Sequence, residues 1–208
     1  MREKTKNQYN SLYENRDNPF GEGKPLEQVE AVSDYFSSGS VLDIGGGDGR
    51  NALYLSEQGF DVTVNDLSEV GIDKLQSQAE EKGLDVKTEV CDVLETGISH
   101  EHEVIILSFV MHHMDVDEAH SLLNEVKEKT VAGGVNVIAT FANEGYFFER
   151  HKDDDRFYPS EEMMRDLYGD WEILDFELKD TKVLKEGETN LAVYMTARKP
   201  EANEPEQE

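Results

Sequence analysis

The feature that most constrains this chain is the stretch VLDIGGGDGRNALYL at residues 41–55, where four glycines fall within five positions. A short, mostly apolar segment precedes the glycines, and the residues after them resume with helical spacing. Glycine permits a positive φ and lets a ligand approach the backbone closely. The stretch therefore predicts a strand, a tight turn and a helix, with a ligand lying against the turn.

Predicted strands and helices alternate through residues 37–142. This alternation predicts a doubly wound parallel sheet with helices on both faces, an α/β fold. Gly83 is the predicted C-cap of one helix, and an Asp115–Glu118 capping box is predicted to open another. Two β-rich segments near the C-terminus, 171–178 and 189–199, predict a closing antiparallel hairpin.

The length of 208 residues favours one domain, which we expect to cover residues 1–198. Residues 199–208 are poor in apolar side chains and predict a disordered acidic tail. Within the domain we expect an N-terminal cap, a cofactor-binding core, a lid or substrate insertion and a closing hairpin, at residues 1–36, 37–142, 143–170 and 171–198.

The formal net charge is −26, from 46 acidic residues against 20 lysines and arginines. This field disfavours nucleic acid and anionic membrane surfaces as partners, because both are polyanionic. Two interpretations of the charge stay open. The chain is either simply acidic or adapted to a salt-rich cytosol, where ionic strength screens the self-repulsion.

We expect a cytoplasmic protein that is a monomer or a homodimer. No apolar run approaches the roughly 20 residues that span a bilayer, and the first residues lack the apolar core of a signal peptide. Cys91 is the only cysteine, so no internal disulfide is possible.

Two phosphate-binding interpretations of the glycine turn fit poorly. A nucleoside-triphosphate loop closes with Gly-Lys-Ser/Thr, whereas this turn closes with Gly49-Arg50-Asn51. The dinucleotide pattern needs a third glycine where Arg50 stands. Asp43 and Asp48 also bring negative charge to the place where a pyrophosphate would lie. An NAD-type oxidoreductase is therefore the weaker alternative.

A cofactor with cationic groups suits the same turn better, and S-adenosylmethionine carries a sulfonium and an α-ammonium. Asp43 is placed to serve the ammonium, directly or through water. Asp66, after the next predicted strand, is placed to hold the ribose hydroxyls, as in other nucleoside-binding doubly wound folds. Asp92, after the third predicted strand, is placed to contact the adenine.

These residues carry a family resemblance. VLDIGGGDGR, VNDLS, CDVLE and ILSFVMHHM, in this order, resemble class I S-adenosylmethionine-dependent methyltransferases over roughly residues 36–142. GRNALYLSEQGFDVTVND and FYPSEEMMRDLYGDWEILDFE are similar to the tellurite-resistance branch. The resemblance implies a Rossmann-like, seven-stranded sheet with a C-terminal antiparallel hairpin, and a cofactor at the carboxyl ends of the first strands.

The resemblance also implies which residues contact the cofactor. The methionine part would lie against Asp43, Gly45, Gly47 and Gly49, the ribose against Asn65, Asp66 and Leu67, the adenine against Asp92 and Val93, and the sulfonium side against Ser108 and Phe109. The tellurite enzymes carry a His-Arg pair where this chain has Glu177-Leu178-Lys179-Asp180. The resemblance therefore implies the cofactor without fixing the acceptor.

Methyl transfer is an in-line displacement, so the protein must align donor and acceptor within roughly 3–3.5 Å. A base is needed only if the acceptor loses a proton. His112 and His113, just after the fourth predicted strand, are the candidate bases, with simple packing as the alternative. We predict no metal site at residues 112–120, because adjacent histidines in an extended loop point apart and Asp115 is a helix cap.

The aromatic segment at residues 143–159 is the predicted lid. Tyr146, Phe147, Phe148 and Tyr158 are candidates to wall an acceptor pocket, with simple packing of these aromatic rings as the alternative. The candidates to hold an anionic acceptor are Arg150, His151 and Arg156. The candidates to close over the cofactor are Tyr9, Tyr13 and Arg16.

The function predicted from the sequence is methyl transfer from S-adenosylmethionine to a small-molecule acceptor. A non-catalytic S-adenosylmethionine-binding regulatory protein is the alternative from another class. A nucleic-acid methyltransferase is disfavoured by the charge and by the absence of an Asn/Asp-Pro-Pro-Tyr motif.

Overall fold

A computed structural model describes residues 2–17, 19–182 and 188–202, with the side chain of Lys182 left out. The helices are α1 Arg2–Asn15, α2 Glu27–Glu30, α3 Val32–Tyr35, α4 Arg50–Glu57, α5 Glu69–Lys82, α6 Val93–Thr96, α7 Val116–Lys129, α8 Tyr146–His151 and α9 Glu161–Leu167. The strands are β1 Ser40–Ile44, β2 Asp61–Asp66, β3 Val86–Val90, β4 His102–Ser108, β5 Thr130–Gly145, β6 Glu172–Lys182 and β7 Thr189–Arg198.

The described strands form one mixed sheet in the order β3-β2-β1-β4-β5-β7-β6. Strands β1 to β5 pair in parallel, whereas β7 runs antiparallel to both β5 and β6. The predicted seven-stranded α/β fold with a C-terminal antiparallel hairpin is confirmed. The order reverses between β1 and β4, and in open α/β sheets ligands bind outside the carboxyl ends of strands at such a point.

Helices cover both faces of the sheet because alternate strand residues enter two separate apolar clusters. Ile105 packs with Leu122 of α7, while the next residue, Ile106, packs with Leu53 of α4 and Leu75 of α5. All five side chains are at most 5% exposed. This two-sided burial explains why β4 is a continuous apolar run, as expected of a central parallel strand.

The predicted caps of the long helices are confirmed. Gly83 ends α5 with φ +68, in the left-handed region. At the start of α7 the Glu118 amide donates to Asp115 Oδ1 at 2.8 Å, and the Asp115 amide donates to Glu118 Oε2 at 3.2 Å. These bonds satisfy amide groups that the first helical turn leaves without partners.

The N-terminal region differs from the expectation in two respects. Residues 1–24 carried no helix prediction, yet residues 2–15 form α1, which packs on α5. The amphipathic spacing of residues 25–36, with proline in the first turn, predicts a single helix there, and this is wrong at its centre. There the Asp34 amide donates to the Ala31 carbonyl, three residues back, and two short helices result.

The predicted strands of the C-terminal half are present, and β5 and β6 are longer than predicted. β5 extends past Ala142 to Gly145, where α8 begins at once. Lys199 lies within the expected disordered tail, but its amide donates to the Gly134 carbonyl at 2.8 Å. Residues 200–202 of that tail follow without helix or strand, and residues 203–208 lie outside the described residues. The division into one domain with four functional parts stays a prediction.

None of the helices in the described ranges is long and apolar enough to cross a membrane.

Candidate active site

A cavity of about 1180 Å³ opens where the carboxyl ends of β1, β2 and β4 meet the residues after β3. Of the predicted site residues, the structure brings ten into its wall: Gly45, Asn65, Asp66, Leu67, Asp92, Val93, Ser108, Phe109, His112 and His113. The other three, Asp43, Gly47 and Gly49, lie behind that wall. One cavity thus gathers side chains from sequence positions far apart, as a doubly wound sheet requires at its switch point.

The glycine turn is held by β2 and covered by α1. Gly45 and Gly47 have φ of +67 and +58, which favours glycine at both positions. The Gly45 amide donates to the Asn65 carbonyl at 2.8 Å. The Tyr13 hydroxyl occupies the place that a Cβ on Gly47 would take. Gly47 therefore serves to admit the Tyr13 ring, and Tyr13 rather than Gly47 faces the cavity.

Asp43 is fully buried beneath the turn, and neither carboxylate oxygen makes a hydrogen bond within the described chain. Asn51 lies beside the carboxylate without hydrogen-bond geometry. A Cβ on Gly46 would lie 2.9 Å from Asp43 Oδ2, so this carboxylate lies against Gly46, which lines the cavity. Burial raises the pKa of Asp43 to about 7, although the nearby Arg50 lowers it. An unpaired buried carboxylate is costly, and a ligand ammonium nearby would offset that cost.

Asp66 joins the first two strand ends. Its Oδ2 accepts from the Gly47 amide at 2.9 Å and its Oδ1 accepts from the Ser68 amide at 2.7 Å. Burial raises the pKa of Asp66, and the two backbone hydrogen bonds oppose that shift. An ionised carboxylate accepts about four hydrogen bonds. Two acceptor positions therefore remain for ligand hydroxyls, and the carboxylate lies in the cavity wall.

Asp92 is both a helix cap and an ion-pair partner. Its Oδ1 accepts from the Leu94 amide at 3.0 Å at the start of α6, and its Oδ2 lies 2.7 Å from Arg2 Nε. Arg2 also pairs with Glu118 at the start of α7. The carboxylate that was expected to contact adenine thus also anchors the first residues of the chain.

Helix α1 lies across the cavity. Arg2, Thr5, Tyr9 and Tyr13 recur at the three- and four-residue spacing of one helix face, and all four line the cavity. The two tyrosines were predicted to close over the cofactor, but the helix that presents them was not predicted. Arg16 was expected beside them, but it contributes its carbonyl to Lys74 Nζ at 2.9 Å, outside the cavity wall.

The two histidines lie side by side, contrary to the expectation for an extended loop. Residues 111–113 form a 3₁₀ turn, and the ring centroids of His112 and His113 are 3.9 Å apart. The Tyr9 hydroxyl and His113 Nε2 are 2.8 Å apart. Burial, together with the positive charges of Arg156 and His151, lowers the pKa of His113 to about 4 and that of His112 as well. Both imidazoles are therefore neutral near pH 7 and able to accept a proton.

No group of three potential ligands in the described ranges is arranged to hold a metal ion. Asp115, which the same stretch offers as a ligand, is occupied as a cap of α7. His120 lies against the Phe157 ring, with 5.7 Å between centroids. Within the part of the chain that the structure describes, the adjacent histidines thus have no third ligand arranged beside them.

Aromatic rings wall the end of the cavity beyond β4 and β5. Ring centroids are 4.8 Å apart for Phe109 and Phe141 and 4.9 Å apart for Phe141 and Phe147. Phe109 has φ +55, a strained conformation for a non-glycine residue. Its amide donates to the Ala139 carbonyl at 2.7 Å, which holds the ring at this end.

The predicted lid divides in the structure. Tyr146 and Phe147 reach the cavity, whereas Phe148 packs on Tyr158 at 5.8 Å, outside the wall. The expected anion-holding residues also lie outside the wall. Arg150 stacks on the Tyr146 ring, and His151 and Arg156 both pair with Asp154.

Arg50 is the main site residue that the sequence analysis missed as a contributor. It was considered only as an obstacle to a dinucleotide, yet its guanidinium lines the cavity and Nη2 donates to Ser108 Oγ at 3.4 Å. Burial lowers its pKa, while Asp43, Tyr194 and Asp48 raise it. Its position directly after Gly49 was the available signal, because the first turn of the following helix borders the ligand in such folds.

Comparison with known proteins gives one family. The family model described as tellurite resistance protein TehB matches residues 5–193. A curated relative, the probable S-adenosyl-L-methionine-dependent methyltransferase TehB of Haemophilus influenzae, is 31% identical over 143 residues. That match covers 65% of this chain and 47% of the relative, so the chain spans about half the length of the relative.

Two solved structures illustrate the likeness. TehB from Haemophilus influenzae superposes with a TM-score of 0.74 at 27% identity, over 84% of this chain and 62% of that one. A 1,6-didemethyltoxoflavin-N1-methyltransferase from Burkholderia thailandensis gives a TM-score of 0.71 at 22% identity, over 95% and 88% of the two chains. The second likeness concerns the fold alone.

Proposed function

This chain belongs to the TehB family, and we propose that it transfers the methyl group of S-adenosylmethionine to a small-molecule acceptor. The family match confirms the resemblance to the tellurite-resistance branch of class I methyltransferases. The observation that carries the proposal is the cavity at the sheet edge, where Asp66 and the glycine turn meet above the unpaired Asp43.

The residues at the turn fit a zwitterionic methionine group. S-adenosylmethionine, when bound, supplies a methyl group on a positively charged sulfur. Asp43 would attract the α-ammonium from beneath the turn, and Arg50 would bind the α-carboxylate from the first turn of α4. Two opposite charges held within one buried site orient such a group by both ends.

The remaining cofactor contacts follow the strand order. Asp66 has free acceptor positions for the two ribose hydroxyls, with Asn65 and Leu67 beside it. Asp92 and Val93 would flank the adenine under α1. Ser108 and Phe109 would face the sulfonium side, because they follow β4 on the other side of β1.

The protein contributes to the transfer by aligning the acceptor and by excluding water. Helix α1 covers the cofactor end, and α8 covers the acceptor end with Tyr146 and Phe147. His112 or His113 would take a proton from an acceptor that must lose one. Since the pKa of His113 is about 4, this imidazole stays unprotonated throughout pH 6–8, so a rate limited by a histidine base would be flat there; the same low pKa makes it a weak base.

An NAD-type oxidoreductase is disfavoured by the same residues. Arg50 stands where close packing of helix and strand requires glycine, and Asp43, Asp48 and Asp66 surround the turn with negative charge.

For localisation and partners, we propose a cytoplasmic monomer or homodimer without a nucleic-acid partner. The net charge of −26 supports the last point and suits a salt-rich cytosol.

The test is formation of S-adenosylhomocysteine from S-adenosylmethionine by the full chain. The assay runs with and without a pool of small oxygen, nitrogen, sulfur and oxyanion acceptors. We expect formation that depends on the acceptor. A chain that binds S-adenosylhomocysteine but forms none with any acceptor would support the non-catalytic regulatory alternative instead.

A further inference from the structure

The cavity is larger than the usual pocket for a single small molecule. Pockets for a single small molecule hold about 300–1,000 Å³, whereas this cavity holds about 1180 Å³. Most of the cofactor contacts proposed above lie along β1, β2 and β3, and Ser108 and Phe109 after β4 face the sulfonium, where cofactor and acceptor must meet. The part beyond β4 and β5 is therefore left for a second organic molecule.

This part, which we call the acceptor chamber, is defined by Phe109, His112, His113, Phe141 and Phe147. Each of these rings lies in the cavity wall. His112 packs edge-on against Phe141, with centroids 4.8 Å apart, and lies nearly parallel to Phe147, with centroids 6.2 Å apart. Such a wall offers ring faces and edges to a ligand, which favours another aromatic ring.

The charges around the chamber disfavour an anionic acceptor. Lys179 lines the cavity, but its Nζ lies 2.9 Å from Glu27 Oε2. Arg156 and His151 share Asp154, at 3.4 and 2.9 Å. Each of these groups contacts a carboxylate of the described chain, which reduces its attraction for an anion, and Arg50 is assigned above to the cofactor carboxylate. The net charge of −26 further repels anions from the surface.

The chamber nevertheless contains proton acceptors. Burial keeps both imidazoles neutral near pH 7, and His113 is fixed by Tyr9 of α1. A neutral imidazole does not attract an anion by charge, but it can remove a proton from an N–H or O–H group. This chemistry serves an acceptor that arrives uncharged and leaves methylated.

We infer that the acceptor is an uncharged, planar aromatic molecule carrying a nucleophilic N–H or O–H group, bound among Phe109, Phe141 and Phe147 beside the two histidines. This inference rests on the proposed function. In the transfer, the ring nitrogen or oxygen bonds to the methyl carbon as the carbon–sulfur bond breaks. The acceptor proton passes to one imidazole, and S-adenosylhomocysteine is left.

The experiment measures transfer of a labelled methyl group to 1-naphthol, benzimidazole, the saturated analogue decahydro-1-naphthol, 2-mercaptoethanol and tellurite. We expect transfer to the two aromatic probes, and little or none to the saturated analogue or to tellurite. Phe147→Leu should lower kcat/KM for the aromatic probes about tenfold, since aromatic contacts contribute up to about 1.5 kcal/mol beyond area.

Phe148→Leu is the matched control, because Phe148 is the next residue of the same helix and packs on Tyr158 instead. We expect it to keep kcat/KM within about twofold of the unchanged chain. Equal losses in the two variants would overturn the assignment of the ring wall, as would failure to transfer to either aromatic probe. Methylation of tellurite or the thiol in that case leaves the proposed function standing. Failure to bind S-adenosylhomocysteine would contradict both the proposed function and this inference.

Discussion

Asp43 is the residue whose environment says most about the ligand. Its carboxylate is fully buried, is without a hydrogen bond in the described chain, and lies against Gly46, which lines the cavity. Because the pKa of Asp43 is raised to about 7, the folded chain holds this proton more tightly than the unfolded chain does. The free protein therefore loses stability as the pH rises from about 4 to about 7, and a ligand ammonium would restore it.

Two results are predicted for this residue. The dissociation constant of S-adenosylhomocysteine should fall about tenfold from pH 6 to pH 8. The reason is that the ionised fraction of a carboxyl with a pKa of about 7 rises from roughly one-tenth to roughly nine-tenths over this range. In Asp43→Asn the affinity should be lower and lose most of this pH dependence. The free variant should also melt at a higher temperature than the unchanged chain at pH 8, and the difference should shrink at pH 5.

Calorimetric titrations and thermal melts at matched pH values measure both effects. An Asp43→Asn chain that binds S-adenosylhomocysteine as tightly as the unchanged chain at pH 8 would show that Asp43 does not contribute to cofactor binding. A melting difference that does not depend on pH would show that the Asp43 carboxylate is ionised in the folded free protein throughout this range, with a pKa close to that of the unfolded chain.

At the residue scale, sequence reasoning found the carboxylates but not how each is used. Asp66 and Asp92 could be located because acidic residues at strand ends form a pattern. The hydrogen bond from the Gly47 amide to Asp66 and the ion pair between Arg2 and Asp92 could not be predicted, because these groups meet only in the folded chain. The conformation of Phe109 is a further example, since a positive φ at phenylalanine leaves no trace in the sequence.

Helix α1 is the element on which access to the cavity depends. Its inner face lines the cavity, and Arg2 at its start pairs with Asp92 and Glu118. Tyr9 bonds to His113 and Asn10 accepts from Ser68 Oγ at 2.7 Å, so α1 connects the cofactor end to the acceptor end. We expect the Arg2 ion pairs to open when a ligand enters or leaves at the adenine end.

Arg2→Gln should therefore speed the release of S-adenosylhomocysteine several-fold in low salt, because the first turn of α1 loses its anchors. The matched control is Lys6→Gln on the same helix, which removes only an exposed pair with Glu69 at 3.3 Å and should leave the rate unchanged. Stopped-flow displacement measures both rates. Molar salt should reduce the difference in release rate between Arg2→Gln and the unchanged chain, because it screens the Arg2 ion pairs. Identical rates for both variants would exclude the Arg2 ion pairs as the contacts that control release.

At the element scale, the predictions were right where local patterns decide the structure. The strand β2, the helix α5 with Gly83, and the capping box of α7 follow from periodicity and caps within a few residues. Helix α1 was missed because its polar sequence gives no strong amphipathic signal. Its buried contacts come from two tyrosines and from distant residues of α5 and of the turn after β4.

The whole molecule is dominated by its charge of −26. The ion pairs of the described chain lie mostly at the surface, where each contributes little. Repulsion among the excess carboxylates is therefore the larger electrostatic effect, and it opposes the compact state. Screening at about 1 M salt acts over roughly 3 Å, compared with about 10 Å at 0.1 M.

The melting temperature should accordingly rise by several degrees between 0.05 M and 2 M KCl. Glu80→Gln with Glu81→Gln, both exposed on α5, should raise the low-salt melting temperature and reduce the salt effect. Differential scanning calorimetry measures the two chains side by side. No stabilisation by KCl in the unchanged chain would contradict the salt-adapted interpretation and favour the simply acidic one.

The central claim is that the glycine turn receives S-adenosylmethionine, and calorimetric titration of the full chain tests it most directly. S-adenosylhomocysteine and NAD are titrated separately, each in low and in high salt. We predict micromolar or tighter binding of S-adenosylhomocysteine, about −8 kcal/mol or better, weakened in Asp66→Asn, and no binding of NAD. Binding of NAD without binding of S-adenosylhomocysteine would contradict the account and return the turn to the dinucleotide folds.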